Sequence, residues 1–540
     1  MTPTIPEQPV GRFWPMLWLA LSGLLQAAGL AWPFRSELGG FTGFGLQFGE
    51  PQPYAHWLGV VVLVKVLTQA SGARQAMWWT WWSATVAGAS TFWWLYVSMA
   101  HYGGVPSWLA VIAVVLLAWA LATYCAFFCG LLFVRMRTFG FAHPAALFAA
   151  MWLLTEWARG ILLTGFPWGN AATAYVQGLG VLAPWVGALG VGAVAAGMAA
   201  WLALTPWTWE SKGSVASALL VSLLVVSPKM PWADADWSGT RAGLTSTVTL
   251  LQGNIDQADK FNPQTGIPKA LGWYQSQLMN DTADLVIAPE TAIPLLQTQL
   301  EPDYWQTLWR GLAQGKHAAL FGVPVVNAQG GYENAAWLIS PDQAQHLLQT
   351  STHDADLWPA GYSKIHLVPF GEYTPWGFRW FAGMLGMPLN GFTSGAMSQR
   401  PHAWAGQRWG VQICYEDVFG AELAERMRQT APTVWVNLSN IAWFGNTVAV
   451  PQHLNIARWR AREMGRSVVR ATNTGATVVI NHLGQVQAQL KPYTRGVLTA
   501  QVTGREGLTP YVRWLGLWSD LPLVLLAFGV VAIGAWRQLR

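Results

Sequence analysis

The sequence is poor in charge: Lys, Arg, Asp and Glu make up only 11% of its 540 residues. Soluble globular chains carry about 25%, so a wholly water-exposed surface is excluded for much of the chain. The charge that is present is nearly balanced, 31 basic against 26 acidic residues, a net of +5. No basic run or RNA-binding motif accompanies it, which excludes nucleic acid as a partner. Cysteine is scarcer still. Three residues cannot build a disulfide framework; Cys125 and Cys129 stand four apart in an apolar stretch, a spacing that suits packing rather than redox or metal chemistry. His366 and His453 are isolated, with no Asp or Glu at ligand spacing, so no metal or other cofactor is expected. Internal repeats and low-complexity segments are absent, and the QGN of LLQGNI is no phosphate loop.

What abounds is apolar. Hydrophobic residues reach 53%, and 36 of them are tryptophan, a residue favoured at the lipid–water boundary. From residue 14 to about 230, apolar stretches of roughly membrane-spanning length succeed one another. Seven spans are expected there, the second and seventh short, and an eighth, WLGLWSDLPLVLLAFGVVAIGAW, closes the chain. Arg12, Arg74, Arg135, Arg137 and Lys212 fall in alternate loops, together with the C-terminal Arg537 and Arg540. The opposite loops are almost free of Lys and Arg, Arg35 excepted. The positive-inside rule puts the Arg-bearing side in the cytoplasm. Three domains are thus expected: a transmembrane bundle over 1–232, an extracytoplasmic domain over 233–510, and a last transmembrane helix over 511–540.

The middle domain alternates short β-rich runs with amphipathic helical stretches, a pattern of layered α/β folds. Three of its segments place a polar residue where a strand should end. LVIAPETAIP carries Glu290, KIHLVPFGEYTP carries Lys364 and Glu372, and VQICYEDVF carries Cys414, followed by Tyr415, Glu416 and Asp417. Catalytic groups collect beyond the carboxyl ends of strands in α/β sheets. Singly, each has an ordinary explanation: a capping Glu, a solvated Lys, a packed thiol. Together they form an acyl-transfer set, in which a carboxylate takes the thiol proton and an ammonium supports the thiolate and the oxyanion.

In order and context, PET, KIHLVPFGEY and CYED resemble the nitrilase superfamily. With the membrane frame, and with TEWARGILLTGFPW, LLQGNI, YENAAWLI, LSNIAWFG and QHLNIARWRAREMGRSVVRATNTG, the whole chain is similar to the apolipoprotein N-acyltransferase family. That resemblance implies an α-helical bundle of about eight spans carrying a nitrilase-like αββα sandwich outside a bacterial inner membrane. It implies that Cys414 attacks an acyl ester of a phospholipid, typically phosphatidylethanolamine. Glu290 would be the general base, and Lys364 would support the oxyanion. The thioester would then pass its acyl chain to the α-amine of the lipid-modified N-terminal cysteine of an apolipoprotein. It further implies a supporting carboxylate in Glu372, and roles for Tyr415 and Glu416 at the second substrate or the loop beside the thiol.

Substrate contacts are expected at Phe261, Trp443, Asn334 and Arg159, and an apolar route to the thiol past Trp376, Phe378 and Trp380. A mobile lid is expected in 385–401. Two residues depart from the family pattern: Phe261 stands where Trp is usual, and Ile441 where an acidic residue is usual. The arginines of 452–466 (Arg458, Arg460, Arg462, Arg466) read as a solvated or salt-bridged face, with headgroup contact as the alternative. A monomer is expected. Two other functions stay open on sequence alone, a membrane-tethered amidase or nitrilase and a transporter or lipid scaffold with a passive domain.

Overall fold

Long runs of Leu, Val, Ala and Trp with few charges favour helices, because a helix satisfies its own backbone when water is scarce. In the computed structural model, which describes residues 13–35, 46–137, 144–206, 208, 212–226, 236–240, 244–327, 329–349, 358–359, 361–375, 377 and 391–536, the N-terminal half is accordingly helical. Its helices are α1 (Phe13–Leu30), α2 (Pro53–Leu67), α3 (Ala73–Phe92), α4 (Ser107–Cys125, continued to Arg137), α5 (Pro144–Ile161), α6 (Ala183–Leu204) and α7 (Lys212–Val226).

The expected count of about eight spans is corrected here. Among the described residues three helices are long and apolar enough to cross a membrane: Ser107–Arg137, Pro144–Thr164 and Gly178–Leu204. Pro510–Trp518 and Leu521–Ile533 make a fourth only if counted as one span, and they are bent by 83° at the break. The sequence runs are apolar enough by eye, but helix ends cut them short. α1 and α2 are shorter apolar helices, against the about 20 residues a span needs. α3 has the length but is diluted by Arg74, Gln75 and several Ser and Thr.

The β-rich part stands in place of the expected αββα sandwich and is a mixed β-sheet domain of two open six-stranded sheets, ordered β12-β1-β2-β3-β4-β5 and β11-β10-β9-β8-β7-β6. In the first, β1 (Thr245–Gln252), β2 (Leu285–Ile287) and β3 (Ala318–Val326) are parallel, and β4 (Tyr332–Ile339), β5 (Tyr362–Ser363) and β12 (Gly496–Thr503) pair antiparallel. In the second, β7 (Gln407–Ile413), β8 (Val434–Ser439) and β9 (Ser467–Thr472) are parallel, flanked by β6 (His402–Trp404), β10 (Val478–Ile480) and β11 (Val486–Gln489). One apolar cluster draws on both sheets, with Val248, Leu250 and Ile287 beside Val411, Val436 and Val469. A second joins the first sheet to α8 (Gly266–Met279), α9 (Pro302–Gln314) and α10 (Pro341–Gln349). A third joins the second sheet to α11 (Gly420–Thr430), α12 (Ala449–Met464) and α13 (Pro510–Trp518); α14 (Leu521–Trp536) follows.

α12 settles the fate of the four arginines. They are buried, between 0% and 7% exposed, which corrects the solvated and headgroup readings; the salt-bridged one holds for Arg458, paired with Glu50 at 3.1 Å, and for Arg460, paired with Glu463. α12 is covered on more than one side: Trp459 enters the core of the membrane helices, while Leu454, Ala457 and Met464 pack on the second sheet. Each guanidinium therefore meets protein carbonyls in place of water. Arg458 donates to Gly484 O at 3.0 Å, Arg460 to Asp417 O at 2.9 Å, Arg462 to Val176 O at 3.2 Å and Arg466 to Pro432 O at 2.7 Å.

Candidate active site

Cys414 follows the last residue of β7, a buried strand paired in parallel with β8. Its φ is +52°, a left-handed backbone that costs a side-chain-bearing residue roughly 1–2 kcal/mol. Such a strand-to-helix turn lifts a nucleophile out of the strand's line, and here it opens a single 3-10 turn, Cys414–Val418. The turn is held from two sides. Asn437 Nδ2 donates to Cys414 O at 3.1 Å. Glu416, buried, accepts from Ile413 N–H at 2.5 Å, Ile365 N–H at 2.6 Å and Tyr362 O–H at 2.8 Å. It thereby clamps the end of β7 to the loop that carries Lys364. Burial raises the Glu416 carboxyl above the usual carboxylate range, with the nearby Arg426 opposing.

Glu290 lies just beyond β2, 6% exposed. β3 must come close to it: a Cβ on Gly322 would lie 2.5 Å from Thr291 N and 2.7 Å from Glu290 Cα, so only glycine fits. One carboxylate oxygen of Glu290 accepts from Asn334 Nδ2 at 2.8 Å and faces Lys364 Nζ at 3.4 Å; the other accepts from Asn440 N–H at 2.8 Å. Lys364, 1% exposed, also donates to Glu372 Oε1 at 2.9 Å. Asn334 bridges the two carboxylates, donating to Glu372 Oε1 at 2.8 Å as well, and Glu372 Oε2 accepts from Val368 N–H at 2.8 Å.

Charge in this network is distributed unevenly. Burial works to raise the Glu290 carboxyl, but the Lys364 ammonium and the hydrogen bonds from Asn334 and Asn440 outweigh it and hold the group below its usual range. Burial works to lower Lys364, and Glu372 and Glu290 more than offset that, pushing it up. The Cys414 thiol is pushed up to about 12, first by burial and then by the charge of Glu290, with Lys364 opposing. At neutral pH the arrangement is thus thiol, carboxylate and ammonium, a set able to pass a thiol proton to a carboxylate.

The other expected residues are scattered around this core. Tyr415 is buried against Trp168 and Phe419, so the turn after Cys414 sits on a loop of the membrane half. Phe261 and Trp443 are exposed, and Trp443 meets Tyr102 edge-on at 6.0 Å. Ile441 is fully buried in the apolar cluster of α11 to α13, which leaves no room for a charge. Arg159 donates to Trp168 O at 2.6 Å and Phe166 O at 3.3 Å and pairs with Glu156 at 3.9 Å; its guanidinium braces the 166–168 loop. Trp376, Phe378, Trp380 and the 385–390 part of the expected lid lie outside the described residues.

His366 pairs with Glu422 at 2.9 Å. His453, isolated in the sequence, has close partners in the fold. Arg470 Nη2 donates to its Nδ1 at 2.6 Å, which leaves the ring proton on Nε2 to be donated to Asp417 at 2.9 Å. Two residues at the site have no counterpart in the sequence reading. Asn440 donates its backbone N–H to Glu290, and buried Lys260 donates to Glu290 O at 3.4 Å. The only sequence signal for Lys260 is a lysine closing the loop after a strand rich in apolar residues.

Comparison with known proteins matches two stretches of the chain to separate family models. Residues 43–201 match the model of the apolipoprotein N-acyltransferase N-terminal domain, and residues 247–511 match that of carbon-nitrogen hydrolases. An apolipoprotein N-acyltransferase of Verminephrobacter eiseniae is 43% identical over 94% of this chain and 93% of its own. One of Ralstonia nicotianae is 40% identical over 78% of each chain, and one of Bordetella bronchiseptica is 35% identical over 90% of this chain and 93% of its own. By that likeness, sustained along nearly its whole length, the chain belongs to the apolipoprotein N-acyltransferase family.

Proposed function

We propose that this multi-pass protein of the bacterial inner membrane moves a fatty acyl chain from a phospholipid to the N-terminal α-amine of an apolipoprotein, with Cys414 as carrier. The observation that carries the reading is geometric: buried Lys364 stands 3.4 Å from Glu290 and 2.9 Å from Glu372 beyond the strand ends, where Cys414 leaves its strand on a left-handed turn. Cys414 attacks the ester carbonyl while its proton passes to Glu290. Lys364 stabilises the oxyanion, and Glu290 returns the proton to the departing lysophospholipid. The amine of the diacylglyceryl-cysteine then attacks the thioester, and the thiol is restored. Glu372 and Asn334 hold Lys364 and Glu290 in register, and Glu416 holds the turn. Phe261 and Trp443 serve as the apolar lip. The domain division 1–232, 233–510 and 511–540 and a periplasmic site for the middle domain complete the proposal, supported by Arg135, Arg137 and Lys212 at the far ends of the membrane helices.

The test is mass spectrometry of the full-length protein incubated with phosphatidylethanolamine. An acyl mass is expected on Cys414, discharged on addition of a diacylglyceryl-cysteine peptide. Cys414→Ala should show no adduct and lose transfer by about a thousandfold or more; an adduct elsewhere, or turnover without Cys414, would refute the reading.

A further inference from the structure

Under the proposed reaction both substrates carry fatty-acyl glycerol esters, so a thiol poised to attack such an ester has to tell donor from acceptor. The diacylglyceryl group of the acceptor is attached through an uncharged thioether. The donor instead carries a phosphodiester anion at the same glycerol. Lys364 is unsuited to reading that difference, because its ammonium is already held between Glu290 and Glu372.

Lys260 is placed otherwise. It is 2% exposed, yet it lies directly behind an exposed rim, residues 261–265. An ammonium has three donors. Among the described residues this one makes a single long hydrogen bond, 3.4 Å to the Glu290 carbonyl, and lies 5.9 Å from the Phe261 ring centroid. The carboxylate that acts on it, that of Glu290, is already engaged by Lys364, Asn334 and the Asn440 N–H. A buried cation with unmet donors is costly unless a ligand completes it. Burial holds this amine down to about 8, with Glu290 opposing; an anionic oxygen would reverse that shift.

Resting on the acyl-transfer reading, we infer that Lys260 binds the phosphodiester of the donor lipid and so directs the thiol to phospholipid esters in preference to uncharged glycerol esters. The anion would enter over Phe261 and complete the ammonium's shell while the ester reaches Cys414.

The test compares acylation of Cys414 in the full-length, detergent-solubilised protein by three donors of identical acyl chains: phosphatidylethanolamine, phosphatidylglycerol and diacylglycerol. The unsubstituted protein should favour both phospholipids. In Lys260→Gln the ratio of kcat/KM for phospholipid over diacylglycerol should fall about tenfold or more, as for a lost charge-assisted hydrogen bond, mostly through KM. Lys260→Arg should retain the ratio, and Lys260→Met, of similar length, replaces the Gln variant if that one does not fold. A phospholipid preference that survives both neutral variants, or is missing from the unsubstituted protein, overturns the inference. Absence of any adduct on Cys414 from all three donors sinks the acyl-transfer reading instead.

Discussion

At the scale of single residues, the two charged neighbours of Cys414 act on it in opposite directions, and activity should not follow thiol acidity. The Glu290 charge raises the thiol pKa, so Glu290→Gln removes that effect and lowers it. Lys364 lowers it, so Lys364→Met raises it. At pH 8 iodoacetamide should therefore alkylate Cys414 faster than in the unsubstituted protein in the first variant and more slowly in the second. Both variants should nevertheless form the acyl adduct at least about a hundredfold more slowly, since one lacks the base and the other the oxyanion support. A Glu290→Gln protein that acylates as fast as it alkylates would show that thiolate formation alone is limiting. Glu290 and Cys414 stood out in the sequence because each follows an apolar strand run, and Lys364 because it opens a Pro- and Gly-bounded loop after a two-residue strand. Their supports did not. Asn334 reads as a substrate contact yet bridges two carboxylates, and Asn440 acts through a backbone N–H. Neither role leaves a mark on residue type, and the left-handed φ of Cys414 leaves none either.

At the scale of elements, α12 shows what helical periodicity omits. Arginines at 458, 460 and 462, with Arg466 just past the helix end, read as a solvated or salt-bridged face because sequence spacing cannot distinguish water from a second layer of protein. Between the membrane helices and the second sheet, the charges had to be matched internally. Glu463 is the focus: it pairs with Arg460 and accepts from Ala188 N–H at 2.9 Å and Trp459 Nε1 at 3.2 Å. Arg460→Met would leave this buried carboxylate without its cation, at a cost of about 3–5 kcal/mol. Adding Glu463→Gln should recover part of that loss, because the amide needs no counter-charge and the pair is coupled. Thermal midpoints of the three proteins in detergent decide it. A single variant as stable as the parent would mean that α12 is wet after all. The central strands were legible as short runs rich in apolar and β-branched residues between turn residues, whereas β5 and β6, two and three residues long, left no run to read. Helix length in the membrane half was not legible either, because hydropathy reports where apolar residues lie but not where the helix breaks. Ser519, at φ +52°, and Pro522 turn what reads as one closing span into the bent pair.

At the scale of the whole molecule, the three helices long and apolar enough to span among the described residues share a polarity. The Ser107 end of the first adjoins the loop of Tyr102, which meets Trp443. The Thr164 end of the second leads into Phe166 and Trp168, which pack on Tyr415. The Gly178 end of the third follows Val176, whose carbonyl accepts from Arg462. All three thus turn one end toward the sheets, and the opposite ends carry Arg135 and Arg137, with Lys65 Nζ 3.4 Å from Ala203 O. Cations gather on the cytoplasmic side of a bilayer, and this asymmetry supports the proposal that the sheets and Cys414 lie on the outer side. On that proposal the thiol would meet both the outer-leaflet lipid and an exported protein. The arrangement is testable with single cysteines at exposed positions, Gln264→Cys beside the rim of the site and Arg135→Cys at the far end of the first spanning helix. A membrane-impermeant maleimide should label the first in intact spheroplasts and the second only after permeabilisation, with the unsubstituted protein as the control for its own thiols. The reverse pattern would place the acyl carrier in the cytoplasm, out of reach of exported lipoproteins, and no charge arrangement around Cys414 could then rescue the proposed reaction.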